Sequence, residues 1–175
     1  VFLEKTKVGD VFVDLSYALV GRLRGGAAKA SVVSSGLVGS VVGSGAANIV
    51  ITGTFTIPLM KRAGYKAHYA GAVEAVSSIG GHLLPPIMGS AAFLVAAFTE
   101  TDYGWIALIS LVPALMYYFA VYMSVHFRSG MDGIHGLPKE ELPELWPLLK
   151  KDGYLLLPVV LLILRLVIGR SPFDA

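Results

Sequence analysis

Long apolar segments alternate with short polar links along this chain, and clusters of glycine, serine and proline interrupt two of the apolar segments. The first interruption is GSVVGSGAAN at 39–48, and the second is GGHLLPP at 80–86. Unwound backbone inside a membrane is tolerated only where protein buries it or where it lines a polar cavity. Secondary transporters use such interruptions to build a binding site near the bilayer midplane. We therefore expect residues 40–48 and 80–86 to be non-helical and close together in space.

The first interrupted segment, 26–65, predicts a helical hairpin that enters the membrane and returns to the same side. Its arms, 27–43 and 47–60, have about 16 residues each, or about 24 Å at 1.5 Å per residue, which is shorter than the ~30 Å hydrocarbon core. Cytoplasmic loops collect lysine and arginine. Basic residues stand at both ends of this segment: Arg22, Arg24, Lys29, Lys61, Arg62 and Lys66. A re-entrant hairpin with both ends in the cytoplasm fits these features better than two full spans.

The second interrupted segment, 66–99, is too long for one straight helix and predicts two half-helices, 66–79 and 84–98, around an unwound centre. Proline lacks an amide donor and frees a carbonyl one turn earlier, which favours a break at the Gly-Gly and Pro-Pro pairs. The acidic link at Glu100 and Asp102 lacks the basic residues that mark a cytoplasmic loop. We therefore assign this link to the outside.

The remaining segments are assigned from apolar length and flanking charge. Residues 103–126 predict a full span, and a polar stretch follows in which Leu145, Trp146, Leu148 and Leu149 suggest an amphipathic helix on the membrane surface. Asp10 and Asp14, four residues apart, read as a solvated helix face. The chain thus divides into a scaffold or interfacial helix (1–25), the re-entrant hairpin (26–65), a broken transmembrane helix (66–99), a transmembrane helix (100–126), a cytoplasmic loop with an amphipathic helix (127–152) and a transmembrane helix (153–175).

Composition supports an all-α integral membrane protein. The chain is 55% hydrophobic and 15% charged, with a mean hydropathy of +0.69, whereas soluble domains carry about 25% charged residues. A net charge of +2, spread in patches, argues against nucleic-acid binding. The absence of cysteine excludes disulfides and thiol chemistry within this sequence. Both ends look cut, so we expect the chain to be part of a longer membrane protein.

Two groups of residues at the interruptions are candidates for binding. Ser44 and Asn48 stand where the second hairpin arm begins, and the free amides of a helix N-terminus favour a carboxylate; the alternative is ordinary helix capping. Ser78, Gly80 and Gly81 offer hydroxyl and carbonyl oxygens to a hard cation such as sodium, and the alternative is a kink that lets helices pack closely.

Glu74 is the one acidic residue well inside an apolar segment. An acid at such depth is a functional candidate, either as a proton carrier or as the electrostatic partner of a cation. The alternative is a structural pair with a basic group such as Lys29 or His68. Neither His68 nor His82 has metal-ligand spacing with a second histidine or acid.

The motifs at these positions closely resemble the large membrane subunit of TRAP transporters, and most of all the TAXI type, in which small and large membrane subunits are fused. The residues that carry the resemblance are GSGAAN at 43–48, TFTIPLMKRAGY at 54–65, GAVEA at 71–75 and GGHLLPPIMG at 80–89. The resemblance implies an elevator fold of inverted repeats, each with a re-entrant hairpin and a broken helix. This chain would be the first repeat, half of such a transporter.

The resemblance also implies a function. A periplasmic TAXI-type binding protein would deliver a small, dicarboxylate-like organic anion, and sodium or protons would drive uptake across a bacterial or archaeal cytoplasmic membrane. The partners would be that binding protein, the second repeat, the small-subunit helices and the lipid bilayer, with no cofactor other than sodium ions. The candidate substrate and ion-binding residues are Gly43, Ser44, Gly45, Asn48, Glu74, Ser78, Gly80, Gly81 and Pro85, of which Ser44, Asn48, Ser78 and Gly80 are candidate sodium ligands.

Some residues depart from the family pattern, and other functions stay open. The C4-dicarboxylate type commonly has aspartate at Asn48 and a small polar residue at Glu74, and Thr and Gln are expected at Ile79 and His82 in the TAXI type. A channel would need repeated carbonyl or charge rings. A serine hydrolase would need a strand before Ser44 and a nearby base, which the sequence lacks. An inactive scaffold fragment is the remaining alternative.

Overall fold

Helices form the described part of the chain, which comprises residues 8–157, 160, 161 and 164 of a computed structural model. No strand occurs among these residues, as the all-α prediction requires. The α-helices are α1 (Val8–Val20), α2 (Gly26–Val42), α3 (Gly45–Arg62), α4 (Ala67–Gly80), α5 (Ser90–Thr99), α6 (Tyr103–Met131) and α7 (Leu145–Asp152). Two short 3₁₀ turns, Lys139–Glu141 and Gly153–Leu156, flank α7.

The hairpin of α2 and α3 has a much shorter break than the predicted 40–48. Only Gly43 and Ser44 are non-helical. Gly43 ends α2 in the left-handed region at φ 62°, where its amide donates to Gly39 O, and such a conformation suits glycine. The Ser44 side chain caps α3 by accepting from the amide of Ala47 at 3.4 Å. The prediction was too wide because one glycine and one capping serine suffice to reverse the chain.

The break between α4 and α5 is longer than the sequence indicates. It runs over residues 81–89, so the second half-helix begins at Ser90 and not at residue 84. Pro85 and Pro86, joined by a cis peptide bond, have no amide to donate to a helix, and Met88 adopts φ 55°. These neighbouring residues keep the chain out of helical geometry until Gly89, which precedes α5.

Helix α6 is the one helix of the described residues that is long and apolar enough to cross a membrane. It has 29 residues and begins at the Asp102 cap, whose Oδ1 accepts from the amide of Gly104 at 2.8 Å. It ends at Met131, five residues beyond the predicted end of the span at 126. An exposed ion pair between Arg128 and Asp132, 2.8 Å apart, and the burial of Ser129 accompany the extra turn.

The basic ends of the helices gather at one end of the fold. Tyr65, between α3 and α4, places its hydroxyl 2.5 Å from Ser129 Oγ near the end of α6. Arg24, which precedes α2, donates to Gly130 O at 3.1 Å. The amide of Leu137 donates to Gly21 O at 2.9 Å. Both ends of the hairpin therefore lie on the same side as the loop after α6, as the charge pattern predicted.

Helix α2 lies at the centre and packs against α1, α3 and α4. Close packing at its end depends on glycine, because a Cβ added to Gly39 would lie 2.7 Å from Gly81 Cα in the second break. The predicted amphipathic helix is present as α7 and contacts α1. Asp10 and Asp14 are exposed on α1, as the solvated-face interpretation requires. The predicted last span, 153–175, lies for the most part outside the described residues.

Candidate functional site

The hairpin tip and the second break meet directly, as the sequence predicted. The amide of Ile87 donates to Ser40 O at 2.9 Å, and the amide of Gly45 donates to His82 Nε2 at 2.7 Å. Tyr103, at the start of α6, holds the break from its other side by donating to Ile87 O at 2.7 Å. Two chain reversals that are about 40 residues apart in sequence thereby form one backbone-rich junction.

Glu74 lies beside this junction and is completely buried between three helices. Five hydroxyl groups contact its carboxylate, two from α2, two from α3 and one from α4. Oε2 accepts from Ser31 at 2.7 Å and from Thr56 at 2.5 Å; Oε1 accepts from Ser35 at 3.1 Å, from Ser78 at 3.0 Å and from Thr52. A buried carboxylate is costly without such donors. We call Glu74 and these five residues the hydroxyl cage.

No basic residue pairs with Glu74 among the described residues. The structural alternative of a pair with Lys29 or His68 is therefore wrong. Lys29 points elsewhere, with Nζ 2.9 Å from His126 Nδ1 and 4.7 Å from the centroid of the Tyr122 ring. His68 is exposed near the start of α4. Among the described residues, the Glu74 carboxylate is therefore held only by neutral hydroxyl donors.

Two hydroxyls of the cage have a second acceptor within reach. Thr52 Oγ1 lies 2.9 Å from Asn48 O, and Thr56 Oγ1 lies 3.0 Å from Thr52 O. Each hydroxyl has one proton to donate, so either threonine can serve the carboxylate or its own helix. Rotation of these two hydroxyls therefore exchanges one acceptor for the other without any movement of the backbone.

Asn48 connects the cage to the junction and leaves one oxygen without a partner. Its Nδ2 donates to Ser35 O at 2.7 Å and to Ser78 O at 3.4 Å. Its Oδ1 is buried and accepts no hydrogen bond from the described residues. Most buried acceptors are satisfied, so this oxygen is available to a cation. Asn48 and Ser78, two of the predicted sodium ligands, are thus brought together, and their binding of sodium stays a prediction.

The other candidates at the tip and the break are placed differently. Ser44 is exposed and caps α3, which agrees with the capping alternative. Gly80 faces Tyr117, since an added Cβ would lie 2.5 Å from the ring, and its carbonyl accepts from Leu83 at 3.0 Å. Gly43 and Gly45 form the tip, and Gly81 and Pro85 belong to the break. Whether Ser44 and Gly80 bind sodium stays a prediction.

The sequence interpretation did not include four members of the cage: Ser31, Ser35, Thr52 and Thr56. The sequence does contain a signal for them. Ser31 and Ser35 are four residues apart on one helix, Thr52 and Thr56 are four apart on the next, and Glu74 and Ser78 have the same spacing on the third. Residues four apart share a helix face. Gly53 leaves space for the Glu74 side chain, since an added Cβ at Gly53 would lie 3.2 Å from Glu74 Cγ. The described residues contain no group of three or more His, Asp or Glu that could hold a transition metal.

A family model described as "Tripartite ATP-independent periplasmic transporter, DctM component" matches residues 1–175. The chain belongs to this DctM family of TRAP transporter components. The family is one of transporters, and its match confirms the predicted TRAP large permease. Neither the TAXI type nor the fusion with a small subunit follows from the match, and both stay predictions.

Several relatives are named TRAP transporter large permease proteins. A C4-dicarboxylate permease of Pseudomonas aeruginosa is 26% identical over 162 residues, covering 91% of this chain and 38% of the relative. A sialic acid permease of Vibrio cholerae is 28% identical, covering 90% and 37%. An ectoine permease of Halomonas elongata is 29% identical, covering 78% and 33%. The chain therefore spans less than two fifths of the length of these DctM-family relatives.

Proposed function

We propose that this chain forms part of the transport core of an ion-coupled permease that takes up a small organic anion across a bacterial or archaeal cytoplasmic membrane. The observation that carries the proposal is the hydroxyl cage, in which Glu74 joins both arms of the hairpin to the broken helix. Acidic residues buried within membrane helices mark ion and proton pathways. Family membership supports the same function.

The substrate and the partners are inferred from the relatives and from the sequence resemblance. The relatives are named for a C4-dicarboxylate, a sialic acid and ectoine, and we propose a dicarboxylate-like anion for this chain. A periplasmic TAXI-type binding protein would deliver it. The second inverted repeat, with its own re-entrant hairpin, and the small-subunit helices would complete the elevator.

Two forms of ion coupling use the same residues in different ways. In the sodium form, Asn48 Oδ1, together with oxygens of Ser44, Ser78 and Gly80, binds the ion, and the charge of Glu74 stabilises it. In the proton form, Glu74 itself takes up and releases the proton, and the two threonine hydroxyls adjust. The unpartnered oxygen of Asn48 supports the first form, and the second acceptors of the threonines support the second.

Glu74→Gln in the full-length permease, reconstituted in liposomes, separates these forms. Under proton coupling, the variant should lose pH-driven uptake but keep substrate exchange between loaded liposomes, because exchange moves no net protons. Under sodium coupling, it should raise the sodium concentration for half-maximal uptake by roughly 5- to 150-fold, which corresponds to 1–3 kcal/mol. Asn48→Ala should also raise the sodium requirement.

Glu140→Gln is the matched control, since Glu140 is an exposed acid in the loop after α6. It should transport like the wild type under both gradients. If Glu74→Gln behaves in the same way as this control, Glu74 has a purely structural role and the proposed coupling site is wrong.

A further inference from the structure

The last turn of α4 depends on a side chain of α6. The last four carbonyls of a helix have no amide partner within it, and in α4 these belong to residues 77–80. Amides of the second break donate to three of them, at Ser78, Ile79 and Gly80. The fourth, Ser77 O, accepts from the hydroxyl of Tyr118 on α6 at 2.8 Å. A tyrosine about 40 residues further along the chain therefore supplies the donor for this carbonyl.

Two glycines make room for the ring of Tyr118. A Cβ added to Gly36 on α2 would lie 3.2 Å from Cε1 of this ring, and a Cβ added to Gly80 on α4 would lie 3.0 Å from its Cζ. The ring of Tyr117 packs against it at 83°, with the two centroids 5.7 Å apart. The Tyr118 ring is therefore held by the backbone of two helices and by a neighbouring ring, which keeps its hydroxyl beside Ser77 O.

The residue that follows Ser77 belongs to the proposed coupling site. Ser78 Oγ donates to Glu74 Oε1 at 3.0 Å, and Ser78 O accepts from Asn48 Nδ2 at 3.4 Å. The first contact needs the last turn to stay helical, because side chains four residues apart meet only on a helix face. The second contact holds the amide group whose Oδ1 is the buried oxygen without a partner. The backbone at Ser77 and Ser78 therefore sets the positions of both groups.

We propose that Tyr118 is a positioning residue of the coupling site. Its hydroxyl fixes Ser77 O, keeps the last turn of α4 helical, and so holds Ser78 against Glu74 and Asn48. Tyr118 acts through the backbone of α4 and does not itself bind the ion. The effect on transport rests on the sodium form of the proposed function, whereas the effect on the α4 backbone does not depend on it.

Hydrogen–deuterium exchange of the full-length protein in sodium-free nanodiscs tests the effect on the backbone. Tyr118→Phe keeps the ring and removes the hydroxyl. Loss of one hydrogen bond should raise the exchange rate of the peptide over residues 77–83 by about two- to tenfold. Tyr117→Phe is the matched control, since the Tyr117 hydroxyl donates at 2.8 Å to Val76 O, a carbonyl of the helix interior that keeps its own amide donor. This control should exchange like the wild type.

Uptake by the same variants in liposomes tests the effect on the site. Because only the ordered turn binds the ion, the apparent affinity falls with the fraction of protein in which the turn is ordered. Tyr118→Phe should therefore raise the sodium concentration for half-maximal uptake by about two- to tenfold, and the rate at saturating sodium should stay that of the wild type. A purely structural role would lower the maximal rate and leave the sodium requirement unchanged. Tyr117→Phe should match the wild type in both.

Three results would overturn the inference, and they are distinguishable from failure of the proposed function. Unchanged exchange in Tyr118→Phe means that the hydroxyl does not hold the turn. Faster exchange with a wild-type sodium requirement means that it holds the turn but does not position the site. In both cases the proposed function stands if Glu74→Gln and Asn48→Ala still raise the sodium requirement. Wild-type uptake that does not respond to sodium overturns the sodium form, and the positioning role with it.

Discussion

Helices α2–α4 and helices α5–α6 differ in which side chains they bury: the first group buries polar side chains, and the second exposes large apolar ones. The first group buries polar side chains, including Glu74, Asn48 and Thr52, and binds almost all of them internally. The second group has no buried residue on α5 and mostly small buried residues on α6. Its large side chains, such as Leu115 and Phe119, are 55% and 65% exposed.

The two helix groups therefore differ in how far their side chains already have partners within this chain. Most buried polar side chains of α2–α4 are satisfied by one another, and Asn48 Oδ1 and Ser77 Oγ are the buried side-chain atoms of the described residues that have no partner. The exposed face of α5 and α6 is a contiguous apolar surface of the kind that lipid or further protein covers. The buried polar side chains are therefore concentrated in the hairpin and α4, whereas α5 and α6 carry most of the exposed apolar surface.

The largest effect is expected from Glu74→Leu, which removes the common acceptor of five hydroxyls. Each buried donor left without a partner costs about 1–3 kcal/mol. Even with Thr52 and Thr56 returned to their own helix carbonyls, the loss should approach the whole stability of a typical domain, about 5–15 kcal/mol. We expect little folded full-length protein by size-exclusion chromatography in detergent. Wild-type yield and melting temperature would show that the cage does not hold the three helices together.

The next largest effect is expected where backbone meets backbone. Gly81→Ala would place a Cβ 2.6 Å from Gly39 Cα, so the tip and the break must separate. Overpacking of this kind costs about 1–3 kcal/mol. Gly71→Ala on α4, the half-helix that precedes the break, is the matched control, because nothing lies within 4 Å of its added Cβ. Thermal unfolding of both variants should show a lower melting temperature for Gly81→Ala alone; equal melting temperatures would contradict the close contact.

A smaller loss is expected from Thr52→Val, which preserves shape and removes one donor to Glu74. Polar contacts between membrane helices contribute about 1–2 kcal/mol. Thr54→Val is the control, since Thr54 is exposed and its hydroxyl donates only to Ile51 O at 3.2 Å. Denaturation in detergent should rank Thr52→Val below Thr54→Val in stability. The reverse order would mean that the internal bonds of α2–α4 are not what stabilises them.

The smallest effect is expected from Leu115→Ala on the apolar face of α6. Exposed substitutions away from special features change stability within about 0.5 kcal/mol. The same detergent denaturation, applied to the full-length protein, should detect almost no change if lipid covers this face. A loss as large as that of Thr52→Val would instead show that another part of the permease packs on Leu115.

The exact bounds of the breaks depended on local chemistry that the sequence only partly reveals. Gly43 and Ser44 reverse the hairpin by themselves, whereas the proline pair and Met88 keep the second break open as far as Gly89. Clusters of glycine and proline mark where a helix stops. They do not mark how soon the next helix begins, because that depends on which amides find acceptors in the folded chain.

Hydropathy, glycine and proline were enough to establish an all-helical, apolar chain with a hairpin, a broken helix and one acid, Glu74, deep inside an apolar segment. The packing of the helices was needed to show that Ser31 and Thr56 converge on Glu74, that Ser44 faces solvent, and that His82 contacts the hairpin tip. A sequence shows which residues share one helix face. It does not show which faces meet, because hydrogen-bond partners 18 to 43 residues apart, such as Thr56 and Ser31 with Glu74, are brought together only by the packing of whole helices.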